Sequence, residues 1–182
     1  AFSKTDINMH SILDERSAGF YSLGLAKATG KPVAISCTSG TALANLFPAI
    51  IEARMSEVPL VIITADRPKH LINTGENQTI NQANLYGDYT RENIDIDIKK
   101  TTSISFLKKM DSILQKLNTK DICPGPVHFN IRFDFHRTRA GLDVSPHTDS
   151  IGKIGSHLFY FIPNVIVHAY TTYSPKNLFC CF

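Results

Sequence analysis

The run Pro59 to Ala65 (PLVIITA) constrains the fold more than any other stretch: five of its residues are apolar, three of those are β-branched, and it stops at Asp66-Arg67-Pro68. A short apolar run without alternation reads as a strand buried on both faces, the kind found in parallel sheets covered by helices. Pro32 to Cys37 (PVAISC) repeats the pattern and stops at TSGT, and Val127 to Ile131 (VHFNI) follows Gly125-Pro126 as a further strand. Helical spacing lies between these strands. Ala18, Leu23, Leu25, Ala26 and Ala28 precede Gly30, a natural C-cap, and Leu43, Leu46, Phe47, Ile50 and Ile51 share a period within 41–55, where Pro48 is expected to kink the helix or shift its start. Ile104, Leu107, Ile113, Leu114 and Leu117 fall on one face of a helix over 102–117. Ile7 to Leu13 reads as a strand before the first helix, and Ile94 to Ile98 (IDIDI) alternates like a half-buried edge strand. The polar, Asn- and Gln-rich stretch 69–93 reads as a long surface connection with a short helix in it. Strand and helix alternate, which predicts an α/β layer structure with a mostly parallel sheet and right-handed crossovers.

The length of 182 residues fits one domain, and 43% hydrophobic with 19% charged residues supports a packed core. The net charge of +3 is too mild to indicate a nucleic-acid partner. Cys37, Cys123, Cys180 and Cys181 form no C-x-x-C pair, so neither a zinc ribbon nor a disulfide framework is expected, and a reducing compartment fits best. No segment has signal-peptide character or the ~18–20 apolar residues of a membrane span, so a soluble protein without a membrane span is expected. From Ile151 to Phe182 there is no Asp or Glu, aromatic residues are dense and no period persists. Residues 136–182 are therefore expected to be a tail without clear structure, and 1–135 the domain.

Three strand ends carry polar clusters: DER at Asp14 to Arg16, TSGT at Thr38 to Thr41, and ADRP at Ala65 to Pro68. In an open parallel sheet such ends share the carboxyl edge, where ligands bind. The plainer reading makes Asp14, Thr38 and Ser39 helix N-caps and Pro68 a turn residue, and both readings stand at this stage. TSGT before a helix offers backbone N–H groups, a close-approach glycine and hydroxyls, but lacks the P-loop ending, the dinucleotide glycine spacing and the G-x-S-x-G nucleophile setting. His10, His70 and His128 have no metal-ligand spacing, so no metal site is expected among them. Glu15, at a helix start, is ordinarily a charge complementing the dipole; a carboxyl buried against a ligand becomes a proton donor to a ring nitrogen.

Taken in order, DERSAGF, CTSGTALANLFPAIIEA, PLVIITADRP, GENQTINQ and GPVHFNI, spread over 7–135, resemble the pyrimidine-binding domain of thiamine-diphosphate enzymes, and more narrowly the MenD family in its plant and algal versions. The resemblance implies a three-layer doubly wound α/β domain. It implies that Glu15 hydrogen-bonds N1′ of the cofactor aminopyrimidine, so that the cofactor can lose its thiazolium C2 proton. Ser39, Gly40 and Thr41 would line the pyrimidine side, Arg67 would face substrate carboxylates, and Gln78, with Asn77 in the same loop, would contact substrate. The implied reaction decarboxylates 2-oxoglutarate and adds the succinyl semialdehyde unit to isochorismate, in menaquinone or phylloquinone formation. A plant or algal member would sit in the plastid stroma, and any other in the cytoplasm.

The family also has a strand and a Gly-Ser-Arg-Ser-Thr-Pro loop upstream of the glutamate and a Gly-Asp-Gly metal motif far downstream, and the sequence shows neither. The expectation is an incomplete domain, lacking its first strand and helix, with Mg²⁺ or Mn²⁺ and the diphosphate held by a domain outside it. Such a chain is expected to be inactive alone and to act as a homo-oligomer or beside a diphosphate-binding domain. The competing expectation is a non-catalytic interaction module or gene fragment that retains the fold.

Overall fold

The computed structural model describes residues 8–118, 124–133 and 165–169. Among these, the order is β1 (Asn8–Ile12), α1 (Glu15–Thr29), β2 (Val33–Cys37), α2 (Thr41–Asn45), α3 (Phe47–Met55), β3 (Leu60–Asp66), β4 (Glu92–Asp97), α4 (Ser103–Asn118), β5 (Val127–Arg132) and β6 (Val165–Ala169). The strands form one sheet in the order β1-β6-β2-β3-β5-β4, and each neighbouring pair is parallel. Cys123, Cys180, Cys181 and most of the aromatic C-terminal stretch lie outside the described residues.

Period-two alternation divides the buried strands between two helical layers. Val33, Ile35 and Cys37 of β2 and Leu60 and Ile62 of β3 pack with Ala18, Leu23 and Ala26 of α1 and with Leu43, Leu46 and Ile50 of the α2–α3 segment. Ala34, Val61 and Ile63, one residue out of phase, pack with Ile94 and Ile96 of β4, Phe129 of β5, and Phe106, Met110 and Ile113 of α4. The result is the expected three-layer, doubly wound α/β architecture. Burying each Leu or Ile of these layers is worth roughly 1.5–3 kcal/mol. The sheet is thereby a rigid platform for whatever its carboxyl edge presents.

Local signals account for the element ends. The Asp14 side chain accepts a 2.7 Å hydrogen bond from the Ser17 N–H, and Gly30 ends α1 at φ 65 with its N–H on the Ala26 carbonyl. Pro48 has no N–H to give the Ala44 carbonyl, and the predicted single helix divides at Leu46, leaving Pro48 in the first turn of α3. Ile94 and Ile96 point inward from β4, which lies at the sheet edge as IDIDI predicts.

Three features differ from the sequence expectation. Thr38 and Ser39 are not caps: Gly40 holds the N-cap position of α2, with no side-chain cap bond. The short helix expected in the 69–93 connection takes the form of two three-residue 3-10 helices, Lys69–Leu71 and Gly87–Tyr89. It is also not wholly superficial, since Gln82 and Tyr86 are completely buried. The Tyr86 hydroxyl donates to the Leu43 carbonyl at 2.8 Å, and its ring stands edge-on to Phe47 and His128. Finally, β6 comes from the stretch 136–182 and occupies an interior place, between β1 and β2. Among the described residues no helix is long and apolar enough to cross a membrane.

Candidate functional site

The carboxyl ends of β1, β2 and β3 deliver Asp14-Glu15, Thr38-Ser39-Gly40-Thr41 and Asp66-Arg67 to the same edge of the sheet, as parallel pairing requires. Glu15 is the first residue of α1 and only 3% exposed. Its Oε2 accepts a 3.2 Å hydrogen bond from Asn45 Nδ2 at the end of α2, whereas Oε1 is buried with no protein partner. A buried carboxyl oxygen without a partner costs about 1–3 kcal/mol or more, which marks it as a place where a ligand donor belongs.

The turn after β2 is shaped by backbone proximity. Gly40 sits at φ 80, and a Cβ there would meet the Gln78 backbone, 2.9 Å from its Cα. Only glycine accepts both that dihedral and that approach. Gln78 itself adopts a positive φ of 52. Thus two of the sequence-predicted groups, the TSGT turn and the Gln78 loop, are in direct contact. Ser39 is buried, whereas Thr41, Asn77 and Gln78 are exposed.

Gln82, which the sequence reading passes over, joins these loops to the strands. Its Oε1 accepts from the Gly40 N–H at 2.8 Å, and its Nε2 donates to the Ala65 carbonyl and to Asn130 Oδ1, both at 2.9 Å. One buried side chain therefore fixes the turn after β2 against the ends of β3 and β5. Asn45 is likewise missed by the sequence reading. Its place within the short helix TALAN carries no local sign that it reaches Glu15.

Arg67 is held through its backbone: its N–H donates to Asp66 Oδ1 at 2.7 Å and its carbonyl accepts from Arg132 Nη1 at 3.2 Å. Its Nε is buried with no protein partner. Arg132 also pairs with Asp66 Oδ2 at 2.8 Å and with Asp95 Oδ1 at 2.9 Å, and Asn130 Nδ2 donates to both carboxylates. Burial raises the Asp66 pKa above 3.8, against the opposing pull of Asn130 and Arg132. Beneath this cluster lies His128, buried and held neutral by desolvation, its pKa lowered to about 3. Its Nδ1 meets Asn93 Oδ1 at 3.1 Å and its Nε2 meets the Thr64 hydroxyl at 2.8 Å. A proton on Nδ1 lets the ring donate to Asn93 and leaves Nε2 to accept from the Thr64 hydroxyl, whose one proton also has Asn130 Oδ1 within reach at 3.1 Å. It is a satisfied core histidine rather than a ligand.

Residues 1–85 match the family model of the thiamine pyrophosphate enzyme N-terminal TPP binding domain. Over 134 residues the chain is 47% identical to the 2-succinyl-5-enolpyruvyl-6-hydroxy-3-cyclohexene-1-carboxylate synthase of Lysinibacillus sphaericus, covering 72% of this chain and 23% of that protein. The synthase of the same name from Natronomonas pharaonis is 46% identical over 129 residues, covering 70% and 22%, and that from Trichodesmium erythraeum is 47% identical over 127 residues, covering 67% and 21%. The chain belongs to the MenD family of these synthases. It corresponds to their N-terminal domain and spans less than a quarter of the length of the curated relatives it matches. In this MenD-family domain Glu15 keeps one buried carboxyl oxygen without a protein partner, and Gly40 lies against the Gln78 backbone. Among the described residues no group of three or more His, Cys, Asp or Glu is arranged to hold a metal ion.

Proposed function

We propose that this chain supplies the aminopyrimidine half of a thiamine diphosphate site in a synthase that decarboxylates 2-oxoglutarate and adds the succinyl semialdehyde unit to isochorismate. The observation that carries the reading is Glu15: buried at a helix start, anchored through Oε2 by Asn45, and left with Oε1 unpartnered. When bound, the cofactor supplies the carbon-centred chemistry that no amino-acid side chain offers.

The chain's own part is positioning and proton handling. Glu15 Oε1 would meet a ring nitrogen of the pyrimidine and hold or give up a proton there, while Asn45 fixes the rotamer of the carboxyl. Ser39, Gly40 and Thr41 would line the ring, and the missing Cβ at Gly40 lets the Gln78 loop lie close. Arg67, whose Nε has no protein partner, would face the substrate carboxylates, for which a planar fork of donors is suited, and Asn77 and Gln78 would add polar contacts from their loop. The diphosphate and its Mg²⁺ or Mn²⁺ are held by a second domain, on the same polypeptide or another.

Calorimetric titration with thiamine diphosphate and Mg²⁺, and a coupled assay with 2-oxoglutarate and isochorismate, test this. This chain by itself is expected to show no turnover. In a preparation that includes a diphosphate-binding domain, Glu15→Gln is expected to lower the rate by at least about 10²-fold. Robust turnover by this chain alone would contradict the half-site reading, and an unchanged rate in Glu15→Gln would contradict the role of the glutamate.

A further inference from the structure

Strand β5 alternates between two chemistries. Val127, Phe129 and Ile131 pack in the apolar layer with α4, whereas His128, Asn130 and Arg132 take the opposite face of the sheet and are buried as well. Arg132 stands opposite Asp66 at the last paired position of β5 and β3. The two form an ion pair at 2.8 Å, with side-chain exposures of 3% and 0%. Taking both charges out of water is costly, and a well-packed apolar pair in the same place is often as stable. What an apolar pair could not do is grip the next residue. Asp66 Oδ1 accepts from the Arg67 N–H at 2.7 Å, and Arg132 Nη1 donates to the Arg67 carbonyl at 3.2 Å. Both backbone polar groups of Arg67 are thus held by the two members of one ion pair.

Each member of the pair is itself held fast. Asp66 Oδ2 also accepts from Asn130 Nδ2 at 2.7 Å, and the Asp66 backbone carbonyl takes the Phe133 N–H at 3.0 Å. Arg132 Nε donates to Asp95 Oδ1 at 2.9 Å. Pro68, at φ −57, disfavours the helical region for Arg67 on its other side. The half-buried Arg67 side chain leaves this clamp with Nε buried and no protein partner for it. We propose that Asp66 and Arg132 are positioning residues: their ion pair fixes the Arg67 peptide unit from both sides and so sets where its guanidinium meets a ligand carboxylate. The proposal rests on the reading of Arg67 as the residue that faces substrate carboxylates. At 2% and 3% exposure, Asp66 and Arg132 are not open to a ligand themselves, so each acts through Arg67. A guanidinium whose peptide unit is locked keeps its planar fork aligned with a carboxylate, and one whose peptide unit can rotate loses that alignment.

Two measurements test it. In the full chain, the Arg67 Nε–Hε group should give a single NMR signal that exchanges slowly with water. Arg132→Lys keeps a positive charge beside Asp66 but lacks the fork that reaches Asp66, Asp95 and the Arg67 carbonyl together. It should accelerate that exchange about tenfold or more, while β2 amides keep their protection. In a preparation that includes a diphosphate-binding domain, a double-mutant cycle on the KM for 2-oxoglutarate separates positioning from general stability. Arg132→Lys should raise KM about tenfold with kcat within about twofold, and should raise it no further in an Arg67→Ala background. If Arg132→Lys does not fold, the neutral pair Asp66→Asn with Arg132→Gln takes its place with the same expectations. Unchanged Arg67 Nε–Hε exchange, or a KM effect that persists in full in the Arg67→Ala background, would overturn the proposal. A KM in Arg67→Ala equal to that of the unaltered protein would overturn the reading of Arg67 itself, and the proposal with it.

Discussion

At the scale of single residues, two of the three buried side-chain polar atoms without a partner among the described residues lie at the carboxyl edge of the sheet; the third, Arg91 Nε, lies against Gly125. Glu15 Oε1 and Arg67 Nε are buried without partners, in a molecule whose other buried polar side chains include the fully satisfied His128. The contrast matters because the sequence shows all three only as charged or titratable residues near strands. Position next to a strand end made Glu15 and Arg67 legible as candidates; their unpaired atoms were not legible, since pairing depends on Asn45, Asp66 and Arg132 from other elements. His128 yields a pH prediction. Its folded pKa of about 3 lies below 6.5, so between these values the unfolded chain binds a proton that the folded one does not. Stability should therefore fall as pH drops through this window, by about 1.4 kcal/mol per pH unit from this group. Asp66, raised above 3.8, acts in the opposite sense just above that pH. Urea midpoints for the protein and for His128→Gln, compared between pH 7 and pH 4.5, separate the two: the variant should lose the acid-side slope that His128 contributes.

At the scale of elements, buried polar side chains tie loops to strands. Gln82 serves a backbone N–H, a backbone carbonyl and Asn130 at once. Gln82→Met keeps the length but removes the side-chain partner of the Gly40 N–H and the Ala65 carbonyl, while Asn130 Oδ1 keeps the Thr64 hydroxyl; at about 1–3 kcal/mol for each of the two groups, a total loss of roughly 2–6 kcal/mol is expected in chemical unfolding. The joint of β3, β4 and β5 depends on Arg132 between Asp66 and Asp95. Arg132→Met strands the buried Asp66 carboxylate and should cost about 3–5 kcal/mol in the same measurement. Sequence patterning foresaw β2, β3, β4 and β5 because runs of Val and Ile, or strict alternation, are local properties. It foresaw the division near Pro48 for the same reason. It missed the burial of Gln82 and Tyr86, because a polar, Asn-rich connection looks like surface until the strand ends close over it. It missed β6 as well, since five residues in an aromatic, acid-free stretch hold too short a period to separate strand from background.

At the scale of the whole molecule, two apolar layers clamp one parallel sheet, and one edge of that sheet gathers the polar clusters that the sequence places far apart. The architecture explains why separate short motifs can form a single site: parallel strands bring their carboxyl ends to a common edge whatever their separation in the chain. It also explains the division of labour proposed for catalysis. The residues proposed to meet the pyrimidine lie at one edge of the sheet, and the chain spans less than a quarter of its curated relatives' length. This edge is proposed to receive the aminopyrimidine through Glu15. Amide-detected NMR titration with thiamine diphosphate and Mg²⁺ tests it most directly. Shifts are expected to concentrate at Glu15, Ser39 to Thr41 and Asn45, and to be lost in Glu15→Gln. An absence of shifts at these residues at saturating ligand, or the same shifts in Glu15→Gln, would contradict it.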